Sequence, residues 1–259
     1  MNKTIFNQDL TRTLIQKNRL VSNKNLLYWY RELFEEMLKG INEHERSKVL
    51  EIGSGASPLK EFYPSVITSD VMPLPGLDLV FDAHEIDKQN VIDDQSLDII
   101  LLTNVLHHLE RPLEFLLRAQ TKLKPGGRII FAEPYFSMLS TFLYEKIHHE
   151  DADLKVDKPL LENISGPLST ANQALPWLIF FRRSHDWASQ LKEFYDFDPV
   201  RGTTYFTSLA YFITGGISRR FLVPHLCYRF LFHTDRIMAR IFYRLSASFF
   251  IIRLQKRQL

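Results

Sequence analysis

Residues 49-VLEIGSGASP-58 pass from a short apolar run into a glycine turn and on to Ser57-Pro58, a good N-cap followed by a good first helical residue. Strand, glycine turn and helix start, in that order, open many nucleotide-binding sheets. The dinucleotide fingerprint Gly-x-Gly-x-x-Gly needs a final glycine where Pro58 stands, and the Gly-Lys-Ser/Thr ending of a phosphate loop is missing. Glu51, at the mouth of the turn, repels a pyrophosphate and favours a ligand with an ammonium or sulfonium group.

Short apolar runs continue downstream to Pro134: 48-KVLEI-52, 65-SVITS-69, 77-LDLVF-81, 97-LDIILLT-103 and 128-RIIFAE-133. Runs that are apolar at consecutive positions suit strands covered on both faces. Before the last of them, 112-PLEFLLRAQTKLKPGG-127 sets Leu113, Leu116, Leu117 and Leu123 on one helical face, with Pro112 at its start and Pro-Gly-Gly as its stop. Strand, helix, strand implies a right-handed crossover and a doubly wound α/β sheet. Upstream, 26-LLYWYRELFEEMLKGI-41 repeats its apolar residues at three- and four-residue steps and predicts an amphipathic helix. Residues 135–200 are less periodic and are expected to form a helical insertion. The runs 204-TYFTSLAYFIT-214 and 247-ASFFIIRLQK-256 read as strands closing the sheet as an antiparallel pair, with a helix between them.

Composition agrees with a folded chain able to bury a substantial core: 259 residues, 45% hydrophobic and 24% charged. The first residues have no continuous apolar stretch of the secretory kind, and 174-ALPWLIFF-181 and 247-ASFFII-252 fall short of the roughly 20 residues that span a bilayer. With a single cysteine, Cys227, the chain forms no intrachain disulfide, and the reducing cytoplasm is the expected location. The net charge of +2 is unevenly spread: from Arg219 onward nine Lys/Arg face one acid, Asp235. Such asymmetry points to an anionic partner for this end.

Asp70 ends the second run, where an acid accepts hydrogen bonds from ribose hydroxyls, and Asp82 ends the third in the same way. A turn that favours a cationic amino-acid end, followed by an acid for a ribose, describes S-adenosylmethionine. The order 49-VLEIGSG-55, 67-ITSD-70, 81-FDAHEID-87, 98-DIILLTNVLHHLERP-112 and 122-KLKPGGRIIFAEP-134 resembles the class I S-adenosylmethionine-dependent methyltransferases, in particular their type 11 branch, over about residues 46–136. The resemblance implies a Rossmann-like, mostly parallel seven-stranded sheet with helices on both faces. It also implies that Glu51, Gly53, Ser54 and Gly55 surround the methionine portion of the cofactor and Asp70 holds the ribose. Asp82 and Ala83 would then flank the adenine, and Asn104 would line the cleft. Ser57 replaces the family's usual third glycine in the first motif.

Methyl transfer from a sulfonium is an in-line displacement, so the protein has to align the acceptor and exclude water. The text after the fourth strand is 104-NVLH-107, without the Asp/Asn-Pro-Pro-aromatic box of many amino-group methyltransferases, and Cys227 lies in an apolar helix. Oxygen, or carbon in a lipid ring, is the expected acceptor. A hydroxyl nucleophile benefits from a base. Candidates are His107, with His108 beside it, and His149 with Glu150 in the cluster 147-IHHEDAD-153. That cluster also reads as a metal-binding group or as a solvated polar patch. Glu133 and Tyr135 are further acceptor-side candidates.

In 219-RRFLVPHLCYRFLFHTDRIMARIFYRL-245, Arg229, Arg236, Arg240 and Arg244 recur at seven- and four-residue steps, with Leu226, Phe230, Ile237, Ile241 and Leu245 around them. This amphipathic helix suits either peripheral contact with an anionic membrane or packing on the core with its arginines outward. The expected organisation is an N-terminal helical segment (1–46), a cofactor-binding core (47–136), an acceptor-side insertion (137–203) and a C-terminal part (204–259) completing the same domain. The expected function is methylation of a small-molecule, saccharide or lipid-type acceptor, with an RNA methyltransferase or an inactive cofactor-binding scaffold at a membrane surface as alternatives.

Overall fold

The computed structural model describes residues 3–41, 47–146, 151–199, 201–216 and 223–258. Eight strands among them form one sheet: β1 (Val49–Ile52), β2 (Ile67–Asp70), β3 (Leu79–Val80), β4 (Leu97–Thr103), β5 (Leu123–Pro134), β6 (Tyr195–Asp196), β7 (Thr204–Phe206) and β8 (Phe249–Lys256). Their order across the sheet is β3-β2-β1-β4-β5-β8-β6, with β7 also on β8. The strands β1 to β5 pair in parallel, and β8 runs antiparallel to β5. On the far edge of β8, β6 pairs near its end, Tyr195 opposite Lys256, and β7 near its start, Thr204 opposite Ile251. The expected seven-strand width is therefore met, with two short strands sharing the last position.

The central strand β4 explains why both faces are covered. Its Ile100 and Leu102 join a buried cluster with Phe115 and Leu116, while its Ile99 and Leu101 join another with Trp29, Leu33 and Phe34. Phe115 and Leu116 belong to α4 (Pro112–Ala119), and the second group to α2 (Lys24–Met37), which follows α1 (Lys3–Ser22). Side chains alternate between faces along a strand, so a run apolar at every position needs a helix on each side.

Three expectations change. The helix α4 ends at Ala119, and 124-KPGG-127 lies inside β5. There the pairing moves from Leu97–Leu123 to Ile99–Arg128, so the extra β5 residues form a bulge at which Gly126 takes φ +77°. The run 204–214 is a strand only to Phe206 and then turns into α7 (Ala210–Ile213). The cause lies in α8 (His225–Ile241): its half-buried Asp235 accepts hydrogen bonds from the N–H groups of Ser208, Leu209 and Ala210, which draws the chain out of the sheet. The segment after β5 holds α5 (Met138–Lys146) and α6 (Ala174–Trp177), the latter running on as a wide turn to Arg182; residues 151–173 between them carry no helix, less than expected. A short α9 (Tyr243–Ser246) leads into β8.

The end of α2 is held from β8. Arg253 donates to the carbonyl oxygens of Glu36 and Met37 and to Thr204 Oγ1. A guanidinium there satisfies terminal carbonyls and opposes the negative end of the helix dipole. Arg253→Met keeps most of the packing and removes these donors. Its unfolding free energy is expected to fall by about 2 kcal/mol, read as a lower urea midpoint at unchanged slope; an unaltered midpoint would assign the end of α2 to packing alone.

Candidate active site

The strand order reverses direction between β1 and β4, and a crevice opens outside the carboxyl ends of both. Register places Ile52 beside Leu102, so Gly53 and Asn104 meet at the floor of a cavity of about 1470 Å³. Gly53 takes φ +69°, and a Cβ there would lie 2.5 Å from Val105 Cγ2. Only glycine relieves both constraints at once.

Beneath the turn lies a buried carboxyl. Glu51 accepts from Ser54 Oγ at 2.8 Å and from Ser57 Oγ at 2.5 Å, while Ser69 Oγ donates to the Glu51 carbonyl at 2.7 Å. Burial pushes the Glu51 pKa up to about 7, against the two serine hydroxyls, which pull it down. Glu51 and Ser54 thus sit under the turn and shape it, whereas Gly53, Gly55 and Ser57 form the cleft wall. Asp70, at the end of β2, accepts from Gly55 N and from Met72 N, both at 2.9 Å. Burial raises its pKa while the backbone N–H groups oppose the rise.

Asp82 caps the 3-10 turn Ala83–Lys88 and accepts from His84 N at 2.9 Å. It also meets His84 Nδ1 at 2.7 Å, and His84 Nε2 accepts from Arg111 N at 3.2 Å. An acceptor role for Nε2 places the ring proton on Nδ1, which therefore donates to Asp82. The bond from His84 holds the Asp82 carboxyl below its usual range. Asp82, Ala83 and His84 all line the cleft, and nothing in the spacing of the sequence singled out His84.

Asn104 follows β4 with φ +56°, and its amide N donates to Ala132 O at 2.9 Å. Its side-chain Oδ1 is buried on the cleft wall with no protein hydrogen-bond partner among the described residues. A buried acceptor left unmatched is costly, so a ligand donor is the natural complement. Next to it, buried Glu133 accepts from Val105 N at 2.9 Å and Leu106 N at 2.7 Å, and meets His107 Nδ1 at 2.6 Å. His107 lines the cleft, and Nε2 is the ring nitrogen that Glu133 does not engage. His108 Nδ1 donates to Thr170 O at 3.1 Å.

The remaining candidates divide. His149 and Glu150 lie outside the described residues, and Asp151 and Asp153 of the same cluster are exposed. Tyr135 packs into an aromatic group with Phe181, Tyr205 and Tyr243, not onto the cleft. A wall that the sequence did not reveal is α1, whose Thr4, Gln8, Thr11, Arg12, Ile15 and Arg19 face the cavity. Asp9 ties α1 down by accepting from the N–H groups of Leu168 and Ser169 at 3.0 and 2.9 Å and from the Ser169 hydroxyl. Such a tether across some 160 residues leaves no local signature.

Over residues 23–207 the chain matches the family described as a methyltransferase domain. A comparison with curated protein sequences returned no match. Among solved structures, a SAM-dependent methyltransferase from Thermotoga maritima is similar with a TM-score of 0.50 at 12% identity, over 94% of this chain and 99% of that one. One from Archaeoglobus fulgidus gives 0.47 at 18% identity, over 87% and 94%. The N-methyltransferase NodS of Bradyrhizobium japonicum, in complex with S-adenosyl-L-homocysteine, gives 0.46 at 14%, over 92% and 90%. At 12% identity the likeness to the Thermotoga maritima protein speaks to the fold alone, and the narrower type 11 branch stays a resemblance. The family match is the stronger finding, because it covers most of the chain and takes in the glycine turn, Asp70, Asp82, Asn104 and Glu133: the chain belongs to the class I S-adenosylmethionine-dependent methyltransferases.

Proposed function

We propose that the chain methylates a hydroxyl oxygen on a small, uncharged acceptor of saccharide or lipid type. The observation that carries this reading is the Glu133–His107 pair at the end of β4. The residues around it fit the cofactor. Gly53 and Gly55 clear backbone space, Asp70 sits where a ribose would lie, and the unmatched Asn104 Oδ1 offers an acceptor to an ammonium or hydroxyl donor. When bound, the cofactor supplies a methyl group on a sulfonium centre.

The rest of the cavity supports an acceptor of this kind. Tyr30, Tyr144, Tyr211, Phe212 and Phe249 line it as an aromatic end, and α1 with Ile164, Gly166, Pro167 and Leu168 forms another part of its wall. Among the lining carboxylates, Asp70 is engaged by backbone N–H groups and Asp82 by His84, and Glu110 lies next to the Arg111–His84 contact. Among the described lining residues, the aromatic end carries no acid to hold an amine. Glu133 fixes the His107 ring through Nδ1, and Nε2 takes the proton from the acceptor hydroxyl as the oxygen forms its bond to the methyl carbon. Bound S-adenosylmethionine would supply the methyl carbon, the electron pair of its broken carbon–sulfur bond remaining on sulfur.

Incubation with methyl-deuterated S-adenosylmethionine and a panel of glycosides, polyprenyl glycosides, phenols and primary amines tests the acceptor class by mass spectrometry. Label on hydroxyl oxygens is expected, and label on amines alone would overturn the proposal. His107→Gln is expected to lower turnover by about 10²- to 10⁴-fold while binding of S-adenosylhomocysteine in calorimetry stays within about twofold. Turnover equal to the parent protein would remove His107 from the chemistry. Asp70→Ala should instead weaken that binding more than about tenfold, since it removes both a ligand acceptor and the Gly55 and Met72 contacts.

Glu51 links the site to pH. With its pKa raised from an ordinary 4.5 to about 7, the folded protein retains between these values a proton that the unfolded chain has lost. Stability of the cofactor-free protein therefore falls as pH rises through this window, by about 3 kcal/mol at most. Glu51→Gln should flatten the dependence in urea titrations at pH 5, 6, 7 and 8. A variant with the same slope as the parent would assign the proton elsewhere.

A further inference from the structure

Of the two arrangements its sequence suggests, the helix α8 departs from packing on the core with all its arginines outward. Arg236 pairs with Glu32 and Glu36, Arg240 meets Glu36 at 2.8 Å, and Arg229 lies over the Tyr28 ring at 5.4 Å, so the arginine stripe faces α2. Tyr228, Phe232 and Ala239 form the buried face. The free face is apolar: Leu226, Phe230, Ile237 and Ile241 are exposed at 80, 71, 57 and 63%. At about 100° per residue these four, with Leu231, Met238 and exposed Cys227, share one arc of about 140° in which Thr234 is the one polar residue. An uncharged strip this wide on a well-packed helix marks an interaction surface.

Charge decides what covers it. The one acid of α8, Asp235, points inward to the amides of residues 208–210. Among the described residues of α8 and α9, the exposed charged groups beside the apolar arc are Arg229, Arg240 and Arg244. A second copy docking antiparallel through the same arc would set its cationic flank beside this one, without an acid between them. An anionic bilayer meets these arginines with phosphates and accepts the apolar arc below the headgroups. No helix among the described residues is long and apolar enough to cross a membrane.

We propose that α8 lies in the headgroup boundary of an anionic bilayer, apolar arc inward, with Arg229, Arg240 and Arg244 at the level of the lipid phosphates. This surface is independent of the methyl acceptor and would hold whether or not the acceptor is a lipid. Cys227, the chain's one cysteine, lies on the arc and permits a direct test. Full-length protein labelled there with an environment-sensitive fluorophore is mixed with vesicles of phosphatidylcholine alone or with 30% phosphatidylglycerol added (~30%, a composition giving a surface charge like that of anionic leaflets). A blue shift and co-flotation with the anionic vesicles are expected, weakened by salt. Phe230→Glu with Ile237→Glu should reduce partitioning more than about tenfold, with binding of S-adenosylhomocysteine unchanged as proof of folding. Should that pair fail to fold, Leu226→Glu at the most exposed position repeats the measurement. The proposal is overturned if the unlabelled protein stays with neither vesicle, if it binds both equally, or if light scattering shows a dimer that the glutamate variants dissociate.

Discussion

Everything at the site depends on a carboxyl that faces away from the ligand. Glu51 is buried beneath the glycine turn, and its two oxygens hold the hydroxyls of Ser54 and Ser57 from either side of Gly55. Ser69, on the neighbouring strand, donates to the Glu51 carbonyl, and Ser54 N donates to Ser69 O. The turn is thereby fixed to both β1 and β2. Gly53 is pressed against Val105 on its other side. A loop gripped in this way keeps its N–H groups and its backbone surface in place before any ligand arrives, which is the condition for low-cost binding. Replacing the serines by larger or apolar residues would strand a carboxyl in the core, so the Ser-x-x-Ser spacing and the glutamate form one unit.

A second buried carboxylate repeats the device one strand further on. Glu133 receives two backbone N–H groups and the His107 ring, so it closes the chain after β4 much as Glu51 closes it after β1. The difference is what each presents to the cleft. Glu51 presents a shaped turn, and Glu133 presents an imidazole. The same economy explains Asp82, which fixes the tautomer of His84 through a ring whose other nitrogen is taken by Arg111 N. Glu51 and Glu133 thus act on the cleft through their neighbours, whereas Asp70 and Asp82 lie on its wall.

That pattern accounts for what was legible in the sequence. The runs 48–52, 97–103 and 128–133 announced strands because both faces of a parallel sheet are buried, and a continuous apolar run has few other uses at that length. Glu51, Gly53, Gly55 and Asp70 were legible because the turn and the strand end confine them to a few residues. The Glu133–His107 contact spans 26 residues and joins ends of two strands, so each residue could be named as a candidate but not their pairing. The α1 wall was hidden altogether: it depends on Asp9 reaching the amides of Leu168 and Ser169, and no periodicity encodes a contact between such distant segments. The strand expected over 204–214 failed for a related reason. Local β-propensity favoured it, and a carboxylate from α8 redirected the backbone.

The helix α8 shows the limit of reading amphipathicity as a direction. Periodicity separates an arginine side from an apolar side and is silent on which of them meets the protein. The common assumption puts the apolar side inward. Here α2 supplies Glu32 and Glu36 at the spacing that Arg236 and Arg240 require, and Tyr28 supplies a ring for Arg229. Two acids one helical turn apart on a neighbour are enough to turn the cationic stripe inward, because partly buried ion pairs demand a partner while apolar side chains accept any non-aqueous one. The acids of α2 are visible in 32-ELFEE-36, but only the packing of α2 against α8 reveals that they are spent on arginines. The consequence is a helix whose paired arginines help anchor it to the protein and whose apolar arc is left for something else to cover.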